Sequence, residues 1–302
     1  MEFYSNGKLL LTSEYLVLDG ATALAIPIKF GQNLRINSLH SECNILHWQS
    51  INVENKAWFT CTLSMPSLKI IDSSDESIAL ILQKTLLFAK NENSSFLNKK
   101  ESLSVKTKLN FSRDWGLGTS STLINNIAQW AKIDAFKLQF EIFGGSAYDI
   151  ACAQNDKPIL YELSNYKPQI KHVSFNPLFK SKLFFVHLNQ KQNSRDAITI
   201  YRDYKDNKSN LIKEISAITM QFYKETSFSK FEKLIRKHEQ LISKVIKIQP
   251  IKERLFKDYF GEIKSLGAWG GDFILATGNE KTVAYFKEKG YNTIIPYSVM
   301  EL

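Results

Sequence analysis

Glycines and hydroxyl side chains come together in the segment Asp114–Ser121, which reads DWGLGTSS. The segment follows a predicted strand and precedes a predicted helix. Glycine lets an oxyanion approach the backbone closely, and a helix start offers unpaired N–H groups and the positive end of a dipole. Three consecutive hydroxyls add donors for phosphate oxygens and ligands for Mg²⁺. The segment predicts a phosphate-binding loop with the contacts Gly116, Leu117, Gly118, Thr119, Ser120 and Ser121.

The competing interpretation of this segment is a Gly-rich turn in which one Ser or Thr caps the helix. One cap residue suffices for that role, so three hydroxyls behind GLG favour the phosphate loop slightly. No GK[ST] follows the glycines, as it would in a P-loop, and the pattern is not GxGxxG.

A second glycine patch, Gly144-Gly145, precedes Ser146 and a short helix predicted over Ala147–Gln154. In that helix Asp149 stands beside an Ile-Ala-Cys-Ala run. A buried carboxylate needs a partner or a task, because burying an unpaired charge is costly. The alternatives are an acid that merely starts the helix, or a surface residue.

A third patch, Gly267–Gly271, runs into an apolar strand predicted over Phe273–Thr277. Read alone, it indicates a tight entry to a strand. Near the N-terminus Lys8 leads a strand predicted over Lys8–Tyr15. Glu14 lies within that predicted strand, where a carboxylate is costly unless it is paired.

Arg195 closes a polar loop, Asn189–Arg195, and opens a predicted helix. A forked guanidinium near a helix start suits bidentate recognition of phosphate or carboxylate. The alternative is a solvated helix cap. Arg195 is therefore a candidate contact for an anionic substrate.

Alternating and helical apolar patterns predict the elements that position these residues. The other predicted strands are Ala23–Ile28, Gln32–Leu39, Asn44–Trp48, Ala57–Leu63, Ser102–Phe111, Pro158–Leu163, Leu183–Leu188 and Tyr291–Ile295. The other predicted helices are Asp75–Asn91, one that begins after the first glycine patch, most of Ser194–Phe260, and Glu280–Lys289. Asn176-Pro177 separates a strand-rich half from a helix-rich half, which predicts domains over residues 1–177 and 178–302.

The composition and the charge of the chain argue against several classes of protein. Apolar runs stop at five or six residues, whereas a spanning helix needs about 20, so neither a membrane segment nor a signal peptide is expected and the cytoplasm is the default location. The net charge is +9, but only six of the 39 basic residues are arginine. Lysines alternate with glutamates, so a nucleic-acid partner is not expected, whereas small anions remain compatible with the charge. The three cysteines are widely spaced and indicate no disulfide framework.

Four segments together resemble the GHMP kinase superfamily, whose members include galactokinase, homoserine kinase, mevalonate kinase and phosphomevalonate kinase. The opening GK…SEYLVLDG, from Gly7 to Gly20, is similar to phosphomevalonate kinases, with Ser13 where glycine is usual. Gly116–Ser121 is similar to the GLGSS phosphate loop, with Thr119 for the first serine. Ser146–Ala151 resembles GSGYDVA, and the third patch resembles GAGGGD with Trp269 for the middle glycine. The order and approximate spacing match over nearly the whole chain, and the resemblance is strongest to the phosphomevalonate and mevalonate kinase branch.

This resemblance implies an α+β protein with the two-domain GHMP kinase fold. In this fold an ATP-binding N-terminal domain like ribosomal protein S5 domain 2 precedes a ferredoxin-like C-terminal domain. ATP and Mg²⁺ are the implied cofactors. Gly116–Ser121, with Gly270 and Gly271, would bind ATP, and Ser121 would contact Mg²⁺. Asp149 matches the catalytic aspartate and Lys8 the lysine beside it, while Ser146 and Arg195 are the candidate substrate contacts.

The implied activity is transfer of the γ-phosphoryl group of ATP to an anionic small molecule, with phosphomevalonate favoured. The alternatives are mevalonate kinase or another GHMP kinase activity, and a protein of this fold that binds a nucleotide or metabolite without catalysis. The partner is a small-molecule substrate, and the chain is expected to be a monomer or a homodimer. The chain departs from the family's pattern at two positions, and both bear on the choice among these activities. Leu138 stands where mevalonate kinases carry a second Mg²⁺ ligand, with Glu141 the nearest acid, and Trp269 adds bulk to a loop that normally lies against phosphate.

Overall fold

The structure, a computed structural model, describes residues 1–39, 43–190, 194–204, 208–267, 269 and 271–302, without the side chains of residues 194–197. Contacts divide the described chain into two compact units. The first unit comprises residues 1–7, 30–113 and 117–154, and the second comprises residues 8–29, 114–116 and 155–302. Because each unit draws on several segments, the single boundary expected near residue 177 stays a prediction.

The first unit is built on a mixed sheet. Its strands are β1 (Glu2–Leu10), of which residues 2–7 belong to this unit, the second half of β2 (Ala23–Ser38), β3 (Ile45–Ile51), β4 (Ala57–Ser64), β5 (Ile70–Ser73) and β6 (Leu103–Leu109). The strand order is β5-β4-β3-β6-β2. β3 and β6 run parallel, while β6 is antiparallel to β2. On β6 every second residue from Leu103 to Leu109 is buried, as the alternation predicts.

Four helices of the first unit supply the rest of its core. They are α1 (Glu76–Glu92), α2 (Thr119–Ala131), α3 (Ala135–Ile142) and α4 (Tyr148–Ala153). The side chain of Asp75 accepts a hydrogen bond from Ile78 N at 3.1 Å and so caps α1, which confirms the helix predicted there. Apolar residues of α1 and α2, including Leu82, Leu86 and Ile124, join one core with Trp48 of β3.

The second unit contains two sheet regions. One pairs the first half of β2 with β7 (Ile159–Ser164), which pairs in turn with β8 (Lys167–His172). The other is a four-stranded antiparallel sheet in the order β10-β11-β9-β12, with β9 at Leu183–His187, β10 at Ile263–Ser265, β11 at Phe273–Thr277 and β12 at Ile294–Pro296. Every residue of β9, β10 and β11 is buried.

The helices of the second unit lie in the half of the sequence that is predicted to be rich in helix. They are α5 (Ser194–Asp203), α6 (Lys208–Phe222), α7 (Phe228–Ile246), α8 (Ile251–Leu255), α9 (Lys281–Glu288) and α10 (Tyr297–Met300). Across the described residues of both units, no helix combines the length and the apolar character that crossing a bilayer requires.

The N-terminal motif differs from its prediction. The strand expected over Lys8–Tyr15 ends at Leu10, because Ser13 and Tyr15 have left-handed φ angles of 66° and 64°. Such angles cost a non-glycine residue about 1–2 kcal/mol and interrupt a pleated strand. Glu14 therefore lies in a turn, which a short 3-10 helix, Leu16–Asp19, continues. The two strands predicted from residue 23 to residue 39 instead form the single strand β2.

Candidate functional site

The first glycine patch joins β6 to α2 with two left-handed glycines. The φ angles are 65° at Gly116 and 102° at Gly118, values that favour glycine. Gly118 is the N-cap of α2, and no side chain among the described residues caps that helix. The alternative in which a Ser or Thr caps α2 is therefore wrong. The first amides of α2 lack intrahelical acceptors and stay available to an anion.

The hydroxyls that follow are arranged around Gly118. Ser121 Oγ donates to Gly118 O at 3.0 Å, and Thr122 Oγ1 donates to the same oxygen at 2.9 Å. Ser121 and Thr122 are buried, Thr119 is half-buried and Ser120 is exposed. Because Ser121 uses its proton in this bond, its oxygen lone pairs remain for a cation.

The oxygen ligands available for Mg²⁺ in the first unit are few. Leu138 is fully buried in the core and offers no oxygen. Glu141 is exposed and pairs with Lys84, with 3.8 Å between Nζ and Oε1. Nowhere in the described part of the chain do three His, Cys, Asp or Glu residues gather as metal ligands. Ser121 fits a Mg²⁺ ion that takes most of its ligands from phosphate and water, which is the usual habit of that ion.

The second patch places Asp149 in the first turn of α4. Gly144, Gly145 and Ala147 all have left-handed φ angles, and Ala147 is the N-cap of the helix. Asp149 is half-buried and its Oδ1 accepts a hydrogen bond from Ile150 N at 3.1 Å, while Ser146 is buried. The residues that follow Asp149 in α4 are all buried, so the prediction that it enters an apolar helix is confirmed.

In the second unit, Lys8 and Asp272 lie at Gly116. Lys8 Nζ donates to Gly116 O at 2.9 Å. The carboxylate of Asp272 packs against the Cα of Gly116 so closely that a Cβ there would overlap it. Trp115 packs edge-to-face on Phe273, with 5.7 Å between ring centroids, and so fixes the loop against β11. Asp272 ends the GAGGGD-like motif, which is the one local signal that the sequence offers for it.

The third patch buries its unusual tryptophan. Trp269 is 1% exposed and has a φ of 59°, which explains why glycine is usual at this position in the motif. Its backbone N–H donates to Leu266 O at 3.2 Å. The bulk of Trp269 therefore lies within the second unit. Gly271 is buried. Gly270 lies outside the described residues, as does the side chain of Arg195, whose backbone is in the first turn of α5.

Glu14 has the partner that its burial demands. Its Oε1 accepts a hydrogen bond from Lys264 Nζ at 2.5 Å, and its Oε2 lies 3.3 Å from His238 Nε2. Lys264 Nζ is also 3.8 Å from Glu239 Oε1, and Ser265 Oγ donates to Glu239 Oε2 at 2.8 Å. We call Glu14, His238, Glu239, Lys264 and Ser265 the buried cluster, since none of them is more than 3% exposed.

Burial sets the charges in this cluster. It raises the pKa of Glu14, against the attraction of Lys264, and lowers the pKa of His238 well below its ordinary value. His238 is neutral, and its Nε2 accepts a hydrogen bond from Ser13 N at 2.9 Å. Burial also raises the pKa of Glu239 to about 8, so that this carboxyl holds a proton at neutral pH.

Replacing Glu239 with glutamine should remove part of the pH dependence of stability. The pKa of Glu239 rises from 4.5 to about 8 on folding, so the folded chain binds a proton that the unfolded chain releases between these values. Stability from this group is full below about pH 4.5 and falls as the pH rises through about 8. Glutamine cannot ionise. Thermal unfolding should show the variant and the wild type close at pH 5, with the variant several degrees more stable at pH 9.

Other charges face Glu239, so only the difference between the two proteins isolates its titration. The charges of Glu14 and Lys264 act on it inside the unit. It also lines a cavity of about 280 Å³ with the charged residues Arg236, Lys252, Glu253, Lys257 and Glu262. If the Tm values of the wild type and Glu239→Gln change with pH in the same way from pH 5 to pH 9, Glu239 holds no proton in the folded chain at neutral pH.

Several solved structures with this fold are kinases. Methanococcus jannaschii mevalonate kinase is 17% identical with a TM-score of 0.71, and the match covers 98% of this chain and 96% of that one. For Streptococcus pneumoniae phosphomevalonate kinase in complex with phosphomevalonate and AMPPNP, the identity is 15%, the TM-score 0.67 and the coverage 100% and 98%. For Lactococcus lactis galactokinase complexed with galactose, these values are 12%, 0.65, 100% and 93%.

No protein-family model and no curated protein sequence matches the chain. The structural likeness nevertheless spans nearly all of it and confirms the α+β fold that the four motifs imply. The chain has the GHMP kinase fold and is similar in structure to the mevalonate and phosphomevalonate kinases.

Proposed function

We propose that the chain is an ATP-dependent small-molecule kinase that transfers the γ-phosphoryl group of ATP to an anionic acceptor. The observation that carries this proposal is the start of α2. Left-handed Gly118 is its N-cap, no described side chain caps it, and three hydroxyl residues follow. This arrangement supports phosphate binding, because free N–H groups and the helix dipole attract an anion. Ser121 would add one ligand to a Mg²⁺ ion, which neutralises charge on the phosphates when bound.

In this proposal the two charged motif residues act on the acceptor. Asp149 is half-buried in the first turn of α4 and would accept the proton of the attacking hydroxyl or phosphate oxygen. Lys8 is fixed by its bond to Gly116 O, and its ammonium would balance negative charge during transfer. Phosphoryl transfer needs in-line positioning and charge neutralisation more than covalent chemistry, and these residues supply both.

The favoured acceptor is phosphomevalonate. The net charge of +9 supports an anionic acceptor. The Glu14–Asp19 and Tyr148–Ala151 segments resemble phosphomevalonate kinases, and a structural neighbour was solved with phosphomevalonate and AMPPNP. Ser146 and Arg195 are the proposed acceptor contacts. The alternatives are mevalonate kinase or another activity of this fold, and nucleotide or metabolite binding without catalysis.

Arg195→Ala should raise the KM for the acceptor about tenfold and leave the KM for ATP unchanged, because one charge-assisted contact to the acceptor is lost. Steady-state kinetics with each substrate varied in turn would measure this. Arg202→Ala is the matched control, since Arg202 lies in the last turn of the same helix and is exposed. An acceptor KM equal to that of the wild type would remove Arg195 from the site.

The acceptor is tested by ATP consumption in the presence of Mg²⁺ with mevalonate, phosphomevalonate, homoserine or galactose. Turnover with phosphomevalonate above the other three is the expected result. Faster turnover of galactose than of any anionic compound would overturn the proposed substrate class. ATP binding without turnover of any compound would favour the non-catalytic alternative.

A further inference from the structure

Two segments of the second unit come together at two places. One segment carries Lys8 and Glu14, and the other carries Lys264 and Asp272. At the first, Lys8 and Asp272 both lie at Gly116. At the second, Glu14 accepts a hydrogen bond from Lys264 at 2.5 Å. Glu14 follows Lys8 by six residues and Lys264 precedes Asp272 by eight. The buried cluster is therefore the second point of attachment between the segments that bring Lys8 and Asp272 to the loop.

The cluster anchors the end of β10, just before the third glycine patch. Besides its bond to Glu14, Lys264 Nζ donates to Ser265 O at 2.9 Å. Ser265 Oγ donates to Glu239 on α7 at 2.8 Å. β10 ends at Ser265 and Gly267 follows two residues later. These bonds fix the end of β10, from which the chain enters the patch.

The same cluster holds the strained turn of the N-terminal motif. Ser13 N donates to His238 Nε2 at 2.9 Å, and Ser13 Oγ donates to Thr22 O at 2.7 Å. Ser13 and Tyr15 have left-handed φ angles on either side of Glu14. A non-glycine residue keeps such a conformation only where its surroundings enforce it, and this kind of strain gathers at functional sites.

Stability alone gives no reason for this cluster. Well-packed apolar residues of similar volume often replace a buried ion pair without loss of stability, because charges lose much hydration when buried. Such pairs instead fix one conformation in some proteins. Here the conformation fixed is that of two segments that converge on Gly116.

We propose that the buried cluster is a positioning unit, which holds the Lys8 segment and the third glycine patch so that Lys8 and Asp272 meet Gly116. The inference rests on the proposed function, because Gly116 belongs to the proposed phosphate loop. Ser265 and Glu239 act through the segment they hold, so neither is a catalytic residue.

Hydrogen exchange of the ligand-free protein at pH 7 tests this proposal without using activity. Ser265→Ala and Glu239→Ala each remove the bond between α7 and the end of β10. Both should speed amide exchange at residues 266, 267 and 271–273 about tenfold, because local opening becomes easier. Glu239→Gln keeps an acceptor for Ser265 Oγ and should exchange as the wild type does. Thr282→Val is the control, since it removes a buried hydroxyl of the same unit that bonds Tyr259 and Asn279 instead.

Unchanged exchange at residues 266, 267 and 271–273 in Ser265→Ala would overturn the proposal, as would an equal rise in Thr282→Val. If Glu239→Ala fails to fold, Ser265→Ala alone decides the outcome. A second readout is kinetic: the KM for ATP should rise about tenfold in Ser265→Ala and stay at the wild-type value in Glu239→Gln. A wild type that transfers no phosphoryl group would refute the proposed function, whereas the exchange result would still decide the positioning role.

Discussion

Replacing Asp149 with asparagine should lower the rate of phosphoryl transfer by about 10²- to 10⁴-fold, the usual contribution of a positioned general base. Asparagine has nearly the same shape, and its carbonyl oxygen can still accept the hydrogen bond from Ile150 N. The fold and the affinity for ATP should therefore stay at wild-type values. Single-turnover kinetics, ATP titration and thermal unfolding of the same preparation would measure all three quantities.

Asp134→Asn is the matched control for this variant. Asp134 begins α3 of the same unit, and its side chain accepts a hydrogen bond from Phe136 N at 2.8 Å, a role that asparagine also fills. Its turnover should equal that of the wild type. Near-normal turnover in Asp149→Asn, or a loss of folding, would show that Asp149 has a structural role or none.

Gly118→Val should weaken ATP binding at least about tenfold, which corresponds to about 1.4 kcal/mol. The φ of 102° at this N-cap is unfavourable for a β-branched residue. The loop must then change its conformation, and the first amides of α2 no longer present themselves to the phosphates. Calorimetric titration of the folded variant with ATP and Mg²⁺ would measure the change.

Backbone strain alone can destabilise a protein, so this variant also needs a control. Gly290 has a φ of 87°, and a Cβ there would meet no atom within 4 Å. Gly290→Val introduces a similar conformational cost outside the four motifs. It should bind ATP as the wild type does, even if its Tm falls. A folded Gly118→Val protein with wild-type affinity for ATP would remove the loop from the nucleotide site.

Local patterns in the sequence predict much of the fold. The strand Phe273–Thr277 is found with its predicted bounds, since a continuous apolar run after glycines is typical of a buried strand. The helix predicted over Asp75–Asn91 differs from α1 by one residue at each end, because an apolar stripe and an Asp cap mark it. The glycine motif likewise marks the start of α2, where Gly118 is left-handed.

Contacts that depend on distant segments could not be predicted. The burial of Glu14 implies a partner, but nothing local identifies Lys264, which is 250 residues away. The sequence pattern predicts a strand over Lys8–Tyr15, whereas the hydrogen bonds that Ser13 donates to His238 Nε2 and Thr22 O hold it in a left-handed turn. Asp272 ends a motif that the sequence shows, but only the folded chain shows that its carboxylate packs against Gly116.

Transfer of the γ-phosphoryl group from labelled ATP to phosphomevalonate tests the central claim most directly. The wild type should place the label on phosphomevalonate in the presence of Mg²⁺, and Asp149→Asn should bind ATP but transfer almost none. The contrary result is a wild-type protein that binds ATP yet transfers no label to phosphomevalonate, mevalonate, homoserine or galactose.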